Sequence, residues 1–178
     1  SATTFAQSCV AVLLALVAVF ATQAESFLGS RNLLVMSGQV GILLLISLGA
    51  TLVIVAGSID LSVGSVILLT GAVLSQLIVG GLDSTLLVVG ATILIGAAAG
   101  LVNGAIFAFG RIPSFIVTLG TLSFFSGLGL TIIGGRSIYF DAPGVLNLAI
   151  GQLIPGVQNS ALIGVAAFAR VFGLSRFT

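Results

Sequence analysis

The sequence predicts an all-α membrane protein, a polytopic bundle of about six transmembrane helices with a helix break around residues 57–65. Three observations point there. Of 178 residues, 58% are hydrophobic and only 5% are charged. The mean hydropathy is +1.37. Apolar runs of membrane-crossing length recur along the chain, separated by short stretches rich in Gly, Pro, Ser and Asp. Soluble domains carry roughly 25% charged residues. A domain of about 150 residues still exposes close to a third of its chain surface, so this much apolar surface needs lipid as its solvent.

A spanning helix needs about 20 apolar residues, and six runs qualify. The first covers about 8–24. Apolar from residue 1 but without a charged n-region, it reads as a retained membrane helix rather than a signal peptide. The stretch "ESFLGSRN" then breaks the apolarity, with Ser30 or Asn32 as candidate cap, and the second helix covers about 33–56. After "GSID" a third covers about 61–79. "GGLDS" is a turn, with Asp83 or Ser84 capping a fourth helix over about 85–109. "GRIPS" interrupts, and Pro113, lacking an N–H, suits the first turn of a fifth helix to about 133. The polar-tolerant stretch 134–159 holds a short interfacial helix near 145–153, with Tyr139 and Phe140 at headgroup level. A sixth spanning helix starts near Ser160 and carries Arg170 late, where it can snorkel. The whole reads as one transmembrane domain, residues 1–178. It lacks an initiator Met and a closing feature, so the sequence reads as part of a longer protein.

Arginine placement favours a cytoplasmic N-terminus: Arg111, Arg170 and Arg176 then face the cytoplasm, and Arg31 and Arg136 face outside. The net charge of +1 supplies no basic patch for nucleic acid. The chain has no His and no Lys. It therefore lacks a P-loop lysine, a Schiff-base lysine and a histidine base; carboxylate, Ser, Thr or Tyr chemistry stays open, but no base is spaced near a nucleophile, and the chain is read as a non-enzyme. The single Cys9 can form neither an internal disulfide nor a thiolate cluster. No cofactor or metal site is expected in the chain.

Membrane helices pack through small residues that let backbones approach. Gly96, Gly100 and Gly104 recur every four residues in the fourth helix and predict a packing ridge, with Asn103 beside it. Gln39, Ser47 and Thr51 share one face of the second helix. Ser114, Thr118 and Thr121, followed by Phe125, share one face of the fifth. Such stripes serve either inter-helix hydrogen bonding or the lining of a hydrophilic path.

Asp60 lies within "VAGSIDLSVGSV" between two apolar runs. A charge at the bilayer centre costs roughly 2.5–3.5 kcal/mol, and less at a helix start, where it accepts first-turn N–H groups and faces the positive dipole end. Gly57 and Gly64 let the backbone bend. Three roles fit: a cap fixing the turn, a group on a solute path, or a proton or cation site. Ser58, Asp60, Ser62, Asn103, Thr118 and Thr121 are the candidate path-lining residues. Gly57 and Gly64, with Gly96, Gly100 and Gly104, are the break and packing residues.

"VAGSIDLSVGSVILLTGAV" (55–73) closely resembles a signature of the permease subunits of ribose-type ABC sugar importers. "NGAIFAFGRIPSFIVTLGTLSFFSGLGLTIIGGRSI" (103–138) resembles a second stretch of that family, in the same order and spacing. The resemblance implies a multi-pass permease in a bacterial inner membrane, paired with a second permease subunit as a homo- or heterodimer. It further implies a cytoplasmic ABC ATPase that binds the ATP, and a periplasmic or lipid-anchored sugar-binding protein. Members import pentoses, hexoses and the related autoinducer-2. They are about twice this length, and their ATPase-docking loop would begin about where this sequence ends. An ion-coupled carrier or channel, and a non-transporting fragment, are the alternative expectations.

Overall fold

The computed structural model describes residues 2–174. Among the described residues seven helices account for the architecture: α1 (Ala2–Gln23), α2 (Ser30–Val55), α3 (Val63–Val79), α4 (Thr85–Gly110), α5 (Ser114–Ile132), α6 (Pro143–Ile150) and α7 (Asn159–Leu174). The order matches the sequence expectation, with α6 as the short helix of the 134–159 stretch. Four of them, α1, α2, α4 and α5, are long and apolar enough to cross a membrane; α3 and α7 are shorter apolar helices. The expected Arg176 lies outside the described residues.

Helix starts follow local chemistry, with one correction. The Ser84 hydroxyl accepts from the Leu87 N–H at 3.5 Å and caps α4. Pro113 sits at the N-cap of α5. Neither Ser30 nor Asn32 caps α2: its N-cap is Gly29, without a side-chain bond. Asn32 instead donates to the Phe27 carbonyl at 2.7 Å, bracing the preceding turn from inside the helix.

The core is a three-helix group in which α3 packs between α4 and α5, and a helix pair formed by α2 and α7. Leu69, Ala99 and Phe125 bury against one another at the centre of the first group. The second group is a close backbone contact. A Cβ at Gly41 would lie 2.5 Å from the Ala161 Cα, and one at Gly164 would lie 2.6 Å from the Gly41 carbonyl oxygen. Only glycine permits that approach, which is how apolar helices associate when lipid competes equally for their side chains. Polar bonds register the pair: Ser160 donates to the Gly38 carbonyl at 3.3 Å, and the Gln158 N–H donates to Ser37 at 3.2 Å. Asn159, buried, accepts from the Leu153 N–H and donates to the Asn147 carbonyl. It thereby ties the end of α6 to the start of α7.

The loops define two ends. Asp83 and Asp141 border one small cavity, so the α3–α4 turn and the approach to α6 share an end. The α2–α3 break, the end of α4 and the start of α5 share the other. The exposed surface is overwhelmingly apolar; α1 shows almost no buried side chain.

Candidate functional site

The non-helical backbone of the α2–α3 break finds both backbone and side-chain partners. Gly57 takes φ +75°, ending α2. The Ser58 N–H returns to the Val53 carbonyl at 3.1 Å. Both polar groups of Ile59 are then taken by the first two turns of α5: its N–H donates to the Ser114 hydroxyl at 3.1 Å, and its carbonyl accepts from Thr118 at 3.3 Å. Irregular backbone at membrane depth requires such internal partners.

Asp60 closes the break. Its Oδ1 accepts from the Ser62 N–H at 2.7 Å and from the Ser62 hydroxyl at 2.6 Å, the aspartate turn that mimics a backbone turn. The carboxylate thus stands one turn ahead of α3, at the favourable end of its dipole. Ser62 is fully buried at the N-cap of α3. Its hydroxyl also accepts from the Asn103 side-chain nitrogen at 2.8 Å. The result is a directed chain from the Asn103 amide through the Ser62 hydroxyl to the Asp60 carboxylate, spanning α4, α3 and the break. Asn103 Oδ1 is buried and has no hydrogen-bond partner. Asn103 precedes the end of α4 by seven residues, which at 1.5 Å per residue sets this chain about 10 Å inside that end of the helix.

Two clefts flank the chain of bonds. One, of about 220 Å³, is lined by Ser58, Ser114 and Thr118 with Val53 and Phe107. The other, of about 320 Å³, is lined by Ser62 with apolar residues of α2 and α3. Asp60, Gly100 and Asn103 border both. Of the six candidate path residues, Ser58, Asp60, Asn103 and Thr118 therefore meet at the first cleft, and Ser62 lines the second. Thr121 lines neither; it is buried and donates to the Thr118 carbonyl at 3.3 Å.

The glycines divide differently from expectation. A Cβ at Gly100 or Gly104 would meet nothing within 4 Å, and one at Gly96 would only touch the Thr70 methyl. Within this chain the small-residue ridge of α4 is open and forms cleft wall; α4 buries Val88, Ala99 and Asn103 instead. Gly64 is likewise open. The α5 series does face inward, with Thr118, Thr121 and Phe125 buried. The α2 stripe does not: Gln39, Ser47 and Thr51 are exposed, and Thr51 bonds its own helix at the Ser47 carbonyl. The sequence reading missed Phe107 and Val53 as cleft residues, and Gly38, Gly41 and Gly164 as the close contact. An (i, i+3) glycine pair in α2 was the available signal.

The family described as branched-chain amino acid transport system / permease component matches residues 32–174. The chain is 37% identical over 132 residues to the ribose import permease protein RbsC of Escherichia coli K12, covering 74% of this chain and 41% of that protein. It is 34% identical over 129 residues to the D-allose transport system permease protein AlsC of the same organism, covering 72% and 40%. To the autoinducer 2 import system permease protein LsrC of Shigella flexneri it is 36% identical over 177 residues, covering 92% and 52%. The chain spans about half or less of the length of these relatives. No solved structure matches it.

Proposed function

This chain belongs to the family of branched-chain amino acid transport system permease components, and on that premise we propose that it is a membrane-embedded permease subunit of an ABC importer that carries a monosaccharide. The relatives' named substrates, ribose, allose and autoinducer 2, support a small polyhydroxylated solute. The observation that carries the reading is the wet-chemistry lining of an otherwise apolar protein: Ser58, Asp60, Asn103, Ser114 and Thr118 converge on one cleft where three helices and the break meet.

On this reading α1–α5 and α7 form six membrane spans, with the N-terminus in the cytoplasm and α6 at the outer interface. The single domain lies in a bacterial inner membrane. The Asp60 cleft then sits toward the cytoplasmic end, near Arg111. Solute delivered by a binding protein at the outer face passes along the helix group, and Asp60, Ser62 and Asn103 exchange their hydrogen bonds with it. Transition between states requires a hinge, and Gly57 at positive φ supplies one. On the importer reading the energy comes from a separate ATPase subunit, as the membership in a transport-system permease family supports. A second permease subunit completes the passage.

The test is uptake of labelled ribose, allose and autoinducer 2 in the native host. Deleting the gene for this chain abolishes uptake of one of them, and deleting the partner ATPase does the same. Undiminished uptake of all three overturns the reading. Uptake that depends on this gene but survives loss of the ATPase assigns it to an ion-coupled carrier.

A further inference from the structure

A groove of about 450 Å³ lies between α3 and α5, toward the end of the molecule opposite the α2–α3 break. Its space comes from what α3 leaves out. Gly71 borders it, with nothing within 4 Å of where a Cβ would stand, and the small residues Ala72 and Ser75, both buried, border it too. Ser75 gives its proton to the Ala72 carbonyl at 2.8 Å, so its hydroxyl is satisfied within its own helix and this wall behaves as apolar surface. Two contacts hold the shape. Gly129 of α5 meets α3 so closely that a Cβ would stand 3.3 Å from the Leu69 Cα, and the Gln76 side chain donates to the Ile132 carbonyl at 3.0 Å.

The mouth has different chemistry. Gly134 and Gly135 both take left-handed φ, +62° and +65°. They turn the chain back at the end of α5, and Arg136 and Ser137 then border the groove that their own helix helps to form. Arg136 is exposed and is the one charged residue of the lining. Among the described residues no ion pair engages it. Asp141, the nearest acid in the sequence, borders a different cavity together with Asp83.

Depth identifies the occupant. At about 1.5 Å per residue, the α3 lining from Ser75 to Ile67 runs from about 6 to about 18 Å inside the Val79 end of the helix. Half of a hydrocarbon core of about 30 Å covers that depth. A water-soluble partner stops at the helix ends, whereas an acyl chain reaches the whole groove. A guanidinium at the mouth matches a phosphodiester with its planar fork of N–H donors, as basic pockets between membrane helices do for anionic headgroups. A headgroup that carries its own ammonium finds no carboxylate in this lining to receive it.

We propose that this groove binds an anionic glycerophospholipid, with one acyl chain along Gly71 between α3 and α5 and the phosphate held by Arg136 and Ser137. The site is separate from the Asp60 cleft, and the inference rests on membrane embedding rather than on the identity of the solute. A lipid seated there bridges α3, α5 and the segment leading to α6.

Native mass spectrometry tests it. The intact permease is extracted in a mild detergent and offered equal amounts of dioleoyl phosphatidylglycerol and dioleoyl phosphatidylethanolamine. The wild-type protein retains phosphatidylglycerol at least threefold over phosphatidylethanolamine. Arg136→Gln, a change at an exposed and unpaired side chain, abolishes the preference with unchanged far-UV circular dichroism, and Arg136→Lys keeps most of it. Gly71→Leu fills the groove from an open position and lowers phosphatidylglycerol retention at least twofold. Arg31→Gln, which removes a cation elsewhere, leaves the preference as in the wild type. Equal retention of the two lipids by the wild-type protein, or a preference that survives Arg136→Gln, overturns the assignment. So does an equal loss in Arg31→Gln. A benzophenone attached at Gly71→Cys in a Cys9→Ser background captures lipid in native membranes; capture of a protein segment in its place overturns the proposal as well.

Discussion

The Asn103 side-chain nitrogen lies 2.8 Å from the Ser62 hydroxyl, joining residues 41 positions apart across the α3–α4 interface. Ser62 cannot be removed without leaving both polar atoms of a buried amide unpaired, since Asn103 Oδ1 has no partner to begin with. Ser62→Ala is therefore destabilising, by about 1–3 kcal/mol. Asn103→Leu removes the orphaned oxygen together with the donor and leaves the Ser62 bond to Asp60 in place. It is close to neutral, because replacing an imperfectly paired polar group by an apolar one of similar shape carries little penalty. Melting in a single detergent, followed by far-UV circular dichroism, checks the ordering. An Asn103→Leu midpoint as low as that of Ser62→Ala contradicts it.

Asp60→Asn separates the turn from the charge. The amide oxygen of Asn still accepts from the Ser62 N–H, so the start of α3 and membrane insertion are retained. What is lost is the carboxylate acceptor offered to the cleft. A hydrogen bond to a charged group contributes about 1.5–3 kcal/mol, so uptake in the assembled importer falls about tenfold or more. The check is membrane abundance by immunoblot alongside initial uptake rate. Wild-type uptake at wild-type abundance leaves Asp60 a purely structural residue.

The elements were legible in the sequence and their faces only partly so. Breaks at "GSID", "GGLDS" and "GRIPS" placed the ends of α3, α4 and α5 to within a few residues, because Gly, Pro and Asp impose backbone geometry locally. The inward face of α5 was legible because Thr118, Thr121 and Phe125 stand out against Leu and Ile. In α2 and α4 the periodicity of polarity carries little information: lipid and protein interior are equally apolar, so a helix apolar all round does not announce its buried side. The ridge of Gly96, Gly100 and Gly104 was thus indistinguishable by sequence from the pair Gly38 and Gly41. Only the fold shows the former open and the latter closed on α7. The link of Asn103 to Ser62 was out of reach for the same reason, being a matter of helix rotation rather than local pattern.

That contrast between glycines is itself testable. A Cβ at Gly41 would press on the Ser160 carbonyl oxygen and the Ala161 Cα. These are backbone atoms, which yield only if α2 and α7 separate. Gly41→Ala costs about 1–3 kcal/mol, as overpacking does. Gly100→Ala meets open space and gains helix propensity worth up to about 1 kcal/mol, so its melting midpoint does not fall, although the added methyl narrows both clefts and slows uptake. A stable Gly41→Ala protein together with an unstable Gly100→Ala protein would reverse the packing assignment of both helices.

Gly57 offers the sharpest reading of the break itself. Its φ of +75° lies in the left-handed region, and a Cβ there would meet nothing within 4 Å. Substitution is therefore opposed by backbone conformation alone. Gly57→Ala costs about 1–2 kcal/mol, the penalty for an L-residue held left-handed, while Gly57→Asn costs less because Asn visits this region routinely. Gly64 is the control. It is equally open but lies within the first turn of α3 at ordinary φ, so Gly64→Ala leaves stability unchanged or raised. The order of melting midpoints is then Gly64→Ala, Gly57→Asn, Gly57→Ala, from highest to lowest. If α2 instead continued as a helix through residue 57, alanine would be the better residue there, and Gly57→Ala would melt above Gly57→Asn.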